Sequence, residues 1–126
     1  CNETIPVPPP CVLPTVNIAV SYPGMGMIFN VSVTNGGATP ITLTGLQGTF
    51  NSSNPGPYTY TAVSNSNWNL VGNVISYSAG FSPIAAGQTT VYTLDKMIVP
   101  AGLLNSTFCA TTNCGVACSS RLDAIA

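Results

Sequence analysis

Residues 15–34 read TVNIAVSYPGMGMIFNVSVT, and two runs of period two lie within them. Val16, Ile18, Val20 and Tyr22 alternate with small or polar residues. Met25, Met27, Phe29, Val31 and Val33 form a second series, interleaved with Gly26, Ile28, Asn30, Ser32 and Thr34. Successive side chains of a strand point to opposite faces, so this alternation predicts two half-buried strands. Pro23, Gly24 and Gly26 separate them. They also interrupt the best candidate for a membrane span, which needs about 18 consecutive apolar residues.

The pattern continues downstream. Asn35-Gly36-Gly37 supplies a turn. In TPITLTGLQGTF (39–50), Ile41 and Leu43 keep one phase until Gly45 breaks it, which predicts a bulge or bend there. NSSNPGP (51–57) reads as a loop and YTYTAV (58–63) as a strand with Tyr58 and Tyr60 on one face. SNSNWNL (64–70) has no clear period, VISYS (74–78) reads as a short strand, QTTVYTL (88–94) as a strong one, and KMIVP (96–100) as the last. Such spacing, with turn signals between, predicts an all-β antiparallel β-sandwich over residues 15–107. Residues 1–14 hold Pro6, Pro8, Pro9, Pro10 and Pro14 and read as an extended, polyproline-like arm. Residues 108–126 read as a cysteine-rich tail.

Composition narrows the function classes. Charged residues make up 4% of the chain, against about 25% in an ordinary soluble domain. They are Glu3, Asp95, Asp123, Lys96 and Arg121, and there is no histidine. No basic patch is available for nucleic acid or anionic lipid. Acid–base catalysis needs a positioned histidine, carboxylate or lysine, and two of the three carboxylates fall in the expected extensions, so a non-enzyme is predicted. Asp95-Lys96 is the one close charged pair in sequence, and it reads as a surface ion pair or as an isopeptide-forming lysine. So few ionisable groups also predict stability that barely depends on pH.

Neutral hydroxyls, amides and attached sugar must then keep the surface wet. Asn2-Glu3-Thr4, Asn30-Val31-Ser32, Asn51-Ser52-Ser53 and Asn105-Ser106-Thr107 are acceptor triplets for N-glycans, which matter in a secreted chain. Asn30 falls on the polar face of its strand, so a glycan there points outward. The cysteines are Cys1, Cys11, Cys109, Cys114 and Cys118. Cys109-x4-Cys114-x3-Cys118 offers three thiols, but a zinc site favours paired ligands with a fourth member, and disulfides are expected outside the cell. An oxygen cage for calcium needs more carboxylates, so neither metal nor cofactor is expected. Five thiols leave one over. Cys1 is the natural odd one, as a lipid-modified or intermolecular thiol, and a first residue other than Met is read as the trace of a removed leader or of a longer protein. A competing arrangement joins Cys1 or Cys11 to the tail. Tyr58, Tyr60 and Trp68 are candidate sugar contacts, weighed against service in the core.

The stretch TVNIAVSYPGMGMIFNVSVTNGGATPITLTGL, with its V-T-N-x-G element, resembles the opening of immunoglobulin-like repeat domains in large prokaryotic surface proteins. NVISYSAGFSPIAAGQTTVYTL resembles their second half: a short strand, an alanine-glycine turn, then a T-x-T-V strand. The resemblance covers roughly residues 15–95 and implies a spacer, stalk or assembly module. In architecture the chain is more loosely similar to donor-strand pilins and archaeal thread-type subunits. That likeness implies a homopolymer in which a terminal arm, residues 1–14 or 115–126, completes a neighbour's sheet; at the N-terminal end prolines make residues 1–10 a poor donor and favour Val12, Leu13, Val16 and Ile18. The expected function is therefore a secreted, glycosylated filament or coat subunit. The alternatives are a carbohydrate-binding or adhesion module, or a lipid-anchored surface domain.

Overall fold

The structure, a computed structural model, describes residues 12–21, 27–52, 61–62, 67–98 and 102–125, with side chains left aside at 52, 61–62, 95–98 and 125. Among the described residues there are nine strands and no helix. They are β1 (Thr15–Ser21), β2 (Met27–Thr34), β3 (Leu43–Ser52), β4 (Thr61–Ala62), β5 (Trp68–Val71), β6 (Val74–Tyr77), β7 (Thr89–Ile98), β8 (Gly102–Thr112) and β9 (Gly115–Ile125). Two antiparallel sheets form a β-sandwich, one in the order β1-β2-β7-β4 and the other β5-β6-β3-β8-β9.

The alternation in 15–34 decides which faces meet. Met27, Phe29, Val31 and Val33 are all buried, and Val16 joins them from β1. Into and along β3 the inward set changes parity, from Ile41, just before the strand, and Leu43 to Leu46, Gly48 and Phe50. The β3–β8 register shifts between Leu43 and Gly45, so one extra residue accounts for the change.

The centre is aromatic. Phe29, Phe50 and Phe108 are fully buried, with ring centroids 5.5–5.9 Å apart. Such tilted and edge-on pairs add to the gain from area burial. Phe108 lies directly over Gly48, where a Cβ would stand 2.5 Å from its ring. Glycine is required there by close approach, not by backbone conformation.

The largest departure from expectation is at the C-terminus. KMIVP is not a last strand, because Lys96, Met97 and Ile98 continue β7. The supposed tail is built into the second sheet as half of β8 and all of β9, paired from Gly102↔Ile125 to Thr112↔Gly115. A boundary at residue 107 cuts through β8. Asn51, read as part of a loop, lies in β3, and Trp68 opens β5 where no period was visible.

Candidate functional site

The outer face of the five-stranded sheet is the most distinctive surface. Gln47, Thr49 and Asn51 of β3 stand beside Asn105, Thr107 and Cys109 of β8, which stand beside Cys118, Ser120 and Leu122 of β9. Its described side chains carry no charge. Hydroxyls pair across it, with Thr107 Oγ1 2.8 Å from Ser120 Oγ. Two acceptor asparagines, Asn51 and Asn105, are exposed and are direct register partners. Asn30 lies on the outer face of the other sheet, where its Oδ1 accepts a hydrogen bond from Thr93 Oγ1 at 2.9 Å. Asn2 lies outside the described residues.

Cys109 and Cys118 are register partners on this outer face and form a disulfide. Closing so short a loop contributes about 2–3 kcal/mol in the chain-entropy account. Cys114, in the two-residue β8–β9 turn, is also disulfide-bonded. Cys1 and Cys11 lie outside the described residues.

The charged side chains among the described residues, Arg121 and Asp123, lie together at one margin. Arg121 and Asp123 sit on the inward side of β9, an edge strand. The guanidinium grips the carboxylate twice, Nε to Oδ2 at 2.9 Å and Nη2 to Oδ1 at 2.8 Å. Its Nη1 donates to the Ile18 carbonyl of β1 at 3.1 Å. One side chain thus joins the margins of both sheets. Asp123 was expected in an extension; it is instead buried, its side chain 5% exposed. Asp95-Lys96 is accordingly not the one close charged pair, and both of its side chains lie outside the description. Among the described residues no group of three or more His, Cys, Asp or Glu is placed to hold a metal.

The aromatic candidates separate. Trp68 is buried, packs edge-on against Tyr77 and Phe108, and donates Nε1–H to the Thr93 carbonyl at 2.9 Å. It is a core residue and not an exposed sugar contact. Tyr58 and Tyr60 lie outside the described residues. Tyr77, Phe81 and Tyr92 form a second cluster, with centroids 5.0–5.8 Å apart. Burial pushes the Tyr92 phenol above its ordinary value, and the neighbouring Tyr77 phenol adds to the shift.

Of the expected arm residues, Val16 and Ile18 pair with β2 of the same chain. Val12 lies against Gly37, and Leu13 against Gly115. Compared with known proteins, the chain matches no family model and no curated sequence.

In the sequence, Asn35 reads only as a turn residue. It is fully buried, and its Nδ2 donates to the Thr39 and Ile84 carbonyls at 2.8 and 2.9 Å. Its Oδ1 accepts from Gly37 N–H, and its backbone exchanges bonds with Gln88 and Gly87. One amide therefore ties the β2–β3 loop to the segment before β7. The Asn-Gly-Gly signal located this residue, but no local pattern could show its distant partners.

Proposed function

We propose that the chain is a non-enzymatic extracellular structural module: a glycosylated subunit of a surface filament or coat that associates with copies of itself. The observation that carries this reading is the charge-free outer face of the five-stranded sheet, with Asn51 and Asn105 side by side and a disulfide next to them. A surface of hydroxyls and amides suits attached glycans and close contact with like surfaces, and an exterior disulfide suits an oxidising exterior. The two-sheet architecture is compatible with an immunoglobulin-like module, and the sequence motifs of residues 15–95 support that finer assignment. Residues N-terminal to β1 are the proposed assembly arm. The carbohydrate-binding alternative loses Trp68 to the core.

The test is electron microscopy of material purified from its native source, with intact-mass analysis of the same sample. Filaments or sheets with glycan mass on the chain are expected. Unglycosylated, monodisperse monomers at native concentration would overturn the reading.

A further inference from the structure

Cys114 is disulfide-bonded, while Cys109 and Cys118 are bonded to each other. The chain has only two other cysteines, Cys1 and Cys11, so the partner of Cys114 is one of them. Geometry separates the two. Leu13 Cδ2 lies 3.4 Å from the Cβ position of Gly115, the residue after Cys114. Val12 Cβ lies 3.3 Å from the Cβ position of Gly37, so Val12 is seated on the β2–β3 loop. The chain therefore approaches β1 past the β8–β9 turn. Cys11 is two residues upstream of Leu13, a reach of at most about 7 Å, and bridged Cα atoms stand about 4.4–6.8 Å apart. Cys1 is separated from Cys11 by Pro6, Pro8, Pro9 and Pro10. Cys1 lies ten residues before Cys11, and no described contact limits its distance from the turn as the Leu13 contact limits that of Cys11.

We infer that Cys11 and Cys114 form the second disulfide and staple the residues before β1 to the β8–β9 turn. The consequence concerns assembly and rests on the functional reading above. Residues 12–21 are then held at both ends within their own domain, upstream by the bridge and downstream by the continuous β1–β2 register. A strand tethered at both ends cannot be donated to a neighbour. Any N-terminal link between subunits must then use residues 1–10, upstream of the bridge, and not Val12, Leu13, Val16 and Ile18.

Protease mapping tests the bond without reference to assembly. Lys96 and Arg121 are the only tryptic sites, so denatured, unreduced, thiol-blocked protein yields fragments 1–96, 97–121 and 122–126. Fragment 97–121 holds Cys109, Cys114 and Cys118. It is expected joined to 1–96 and lost from that species on reduction. Cleavage after Glu3, the only glutamate, should release residues 1–3 while 4–96 stays joined. A Cys1→Ser variant should keep the link and Cys11→Ser should lose it. Residues 1–3 remaining joined to 97–121, or no link at all, overturns the assignment. Separately, a chain lacking residues 1–10 should fold, keep the bridge and fail to polymerise; normal polymers from it overturn the upstream-segment consequence while leaving the bond intact.

Discussion

Replacing Gly48 by alanine should destabilise the sandwich by about 2 kcal/mol. The new Cβ would lie 2.5, 2.8 and 2.9 Å from three Phe108 ring atoms, where ordinary contact begins at 3.4 Å. The ring would have to retreat by about 0.9 Å, the difference between 3.4 and 2.5 Å. It has little room to do so, because the Phe29, Phe50 and Trp68 rings stand 5.7, 5.9 and 6.2 Å away. Overpacking of this kind costs about 1–3 kcal/mol. Losing a glycine from a strand returns about 0.5–1 kcal/mol through the unfolded chain. With the penalty at its upper end, the net loss of about 2 kcal/mol corresponds to a fall in Tm of roughly 8 °C for a domain of this size. Urea unfolding can be followed by Trp68 fluorescence, since Trp68 is the only tryptophan and packs against Phe108. Phe108→Leu should itself be destabilising, but Gly48→Ala should cost at least about 1 kcal/mol less in that background, because the two changes share one space. An unchanged or raised midpoint for Gly48→Ala, or strictly additive effects in the pair, would refute the argument.

Other outcomes follow from the same structure. Asn35→Ala should cost about 3 kcal/mol, by leaving two carbonyls and the Gly37 N–H without their buried partner. Asn35→Asp should be at least as damaging, because it turns the donor toward those carbonyls into an acceptor; urea midpoints check both. Arg121→Ala removes the ion pair of a buried carboxylate and should lose about 2–4 kcal/mol, whereas Arg121→Met with Asp123→Leu should recover much of it. Ser106 Oγ is buried without a hydrogen-bond partner, so Ser106→Ala should leave stability unchanged or raise it by up to about 1 kcal/mol, and the acceptor triplet survives because Ser106 is its middle residue. Tyr92 keeps its proton to higher pH in the folded chain than in the unfolded one. Its contribution is full below about pH 10, the unfolded value, and is lost as pH rises above it. Unfolding midpoints should therefore fall as pH rises above about 10, and less steeply in Tyr92→Phe.

The sandwich was legible where burial follows the strand period without interruption. Phe29, Val31 and Val33 are apolar on one side and Asn30 and Ser32 polar on the other, because β2 is an inner strand whose two faces meet core and solvent. Gly45 was legible as a break because a phase change is itself a pattern. β9 was not legible because its polarity is reversed. Its inward residues include Ser119, Arg121 and Asp123, while Val116 and Leu122 are 52% and 63% exposed. An edge strand can afford this, since its inner side meets the margin of the opposite sheet, not its centre, and an inward charge discourages unwanted strand pairing. β8 was masked by small residues, with Ser106 and Thr112 among its buried positions. Trp68 was ambiguous because β5 is only four residues long, too short to establish a period. The acceptor triplets were visible as motifs, but that Asn51 and Asn105 face each other follows only from the β3–β8 register.

The neutral outer face of the five-stranded sheet has a kinetic consequence. Charged surfaces find each other through long-range fields, which dissolved ions shorten to about 8 Å at physiological strength. Hydroxyls and amides cast no such field. Two copies meeting through this face are neither drawn together from a distance nor held apart. Their encounter should proceed at the unsteered rate of roughly 10⁵–10⁶ M⁻¹s⁻¹, and that rate should be nearly the same in fresh water, in brine and in acid. Contact between such faces is governed by local concentration, which a tethered neighbour can raise and which the ionic composition of the medium leaves untouched.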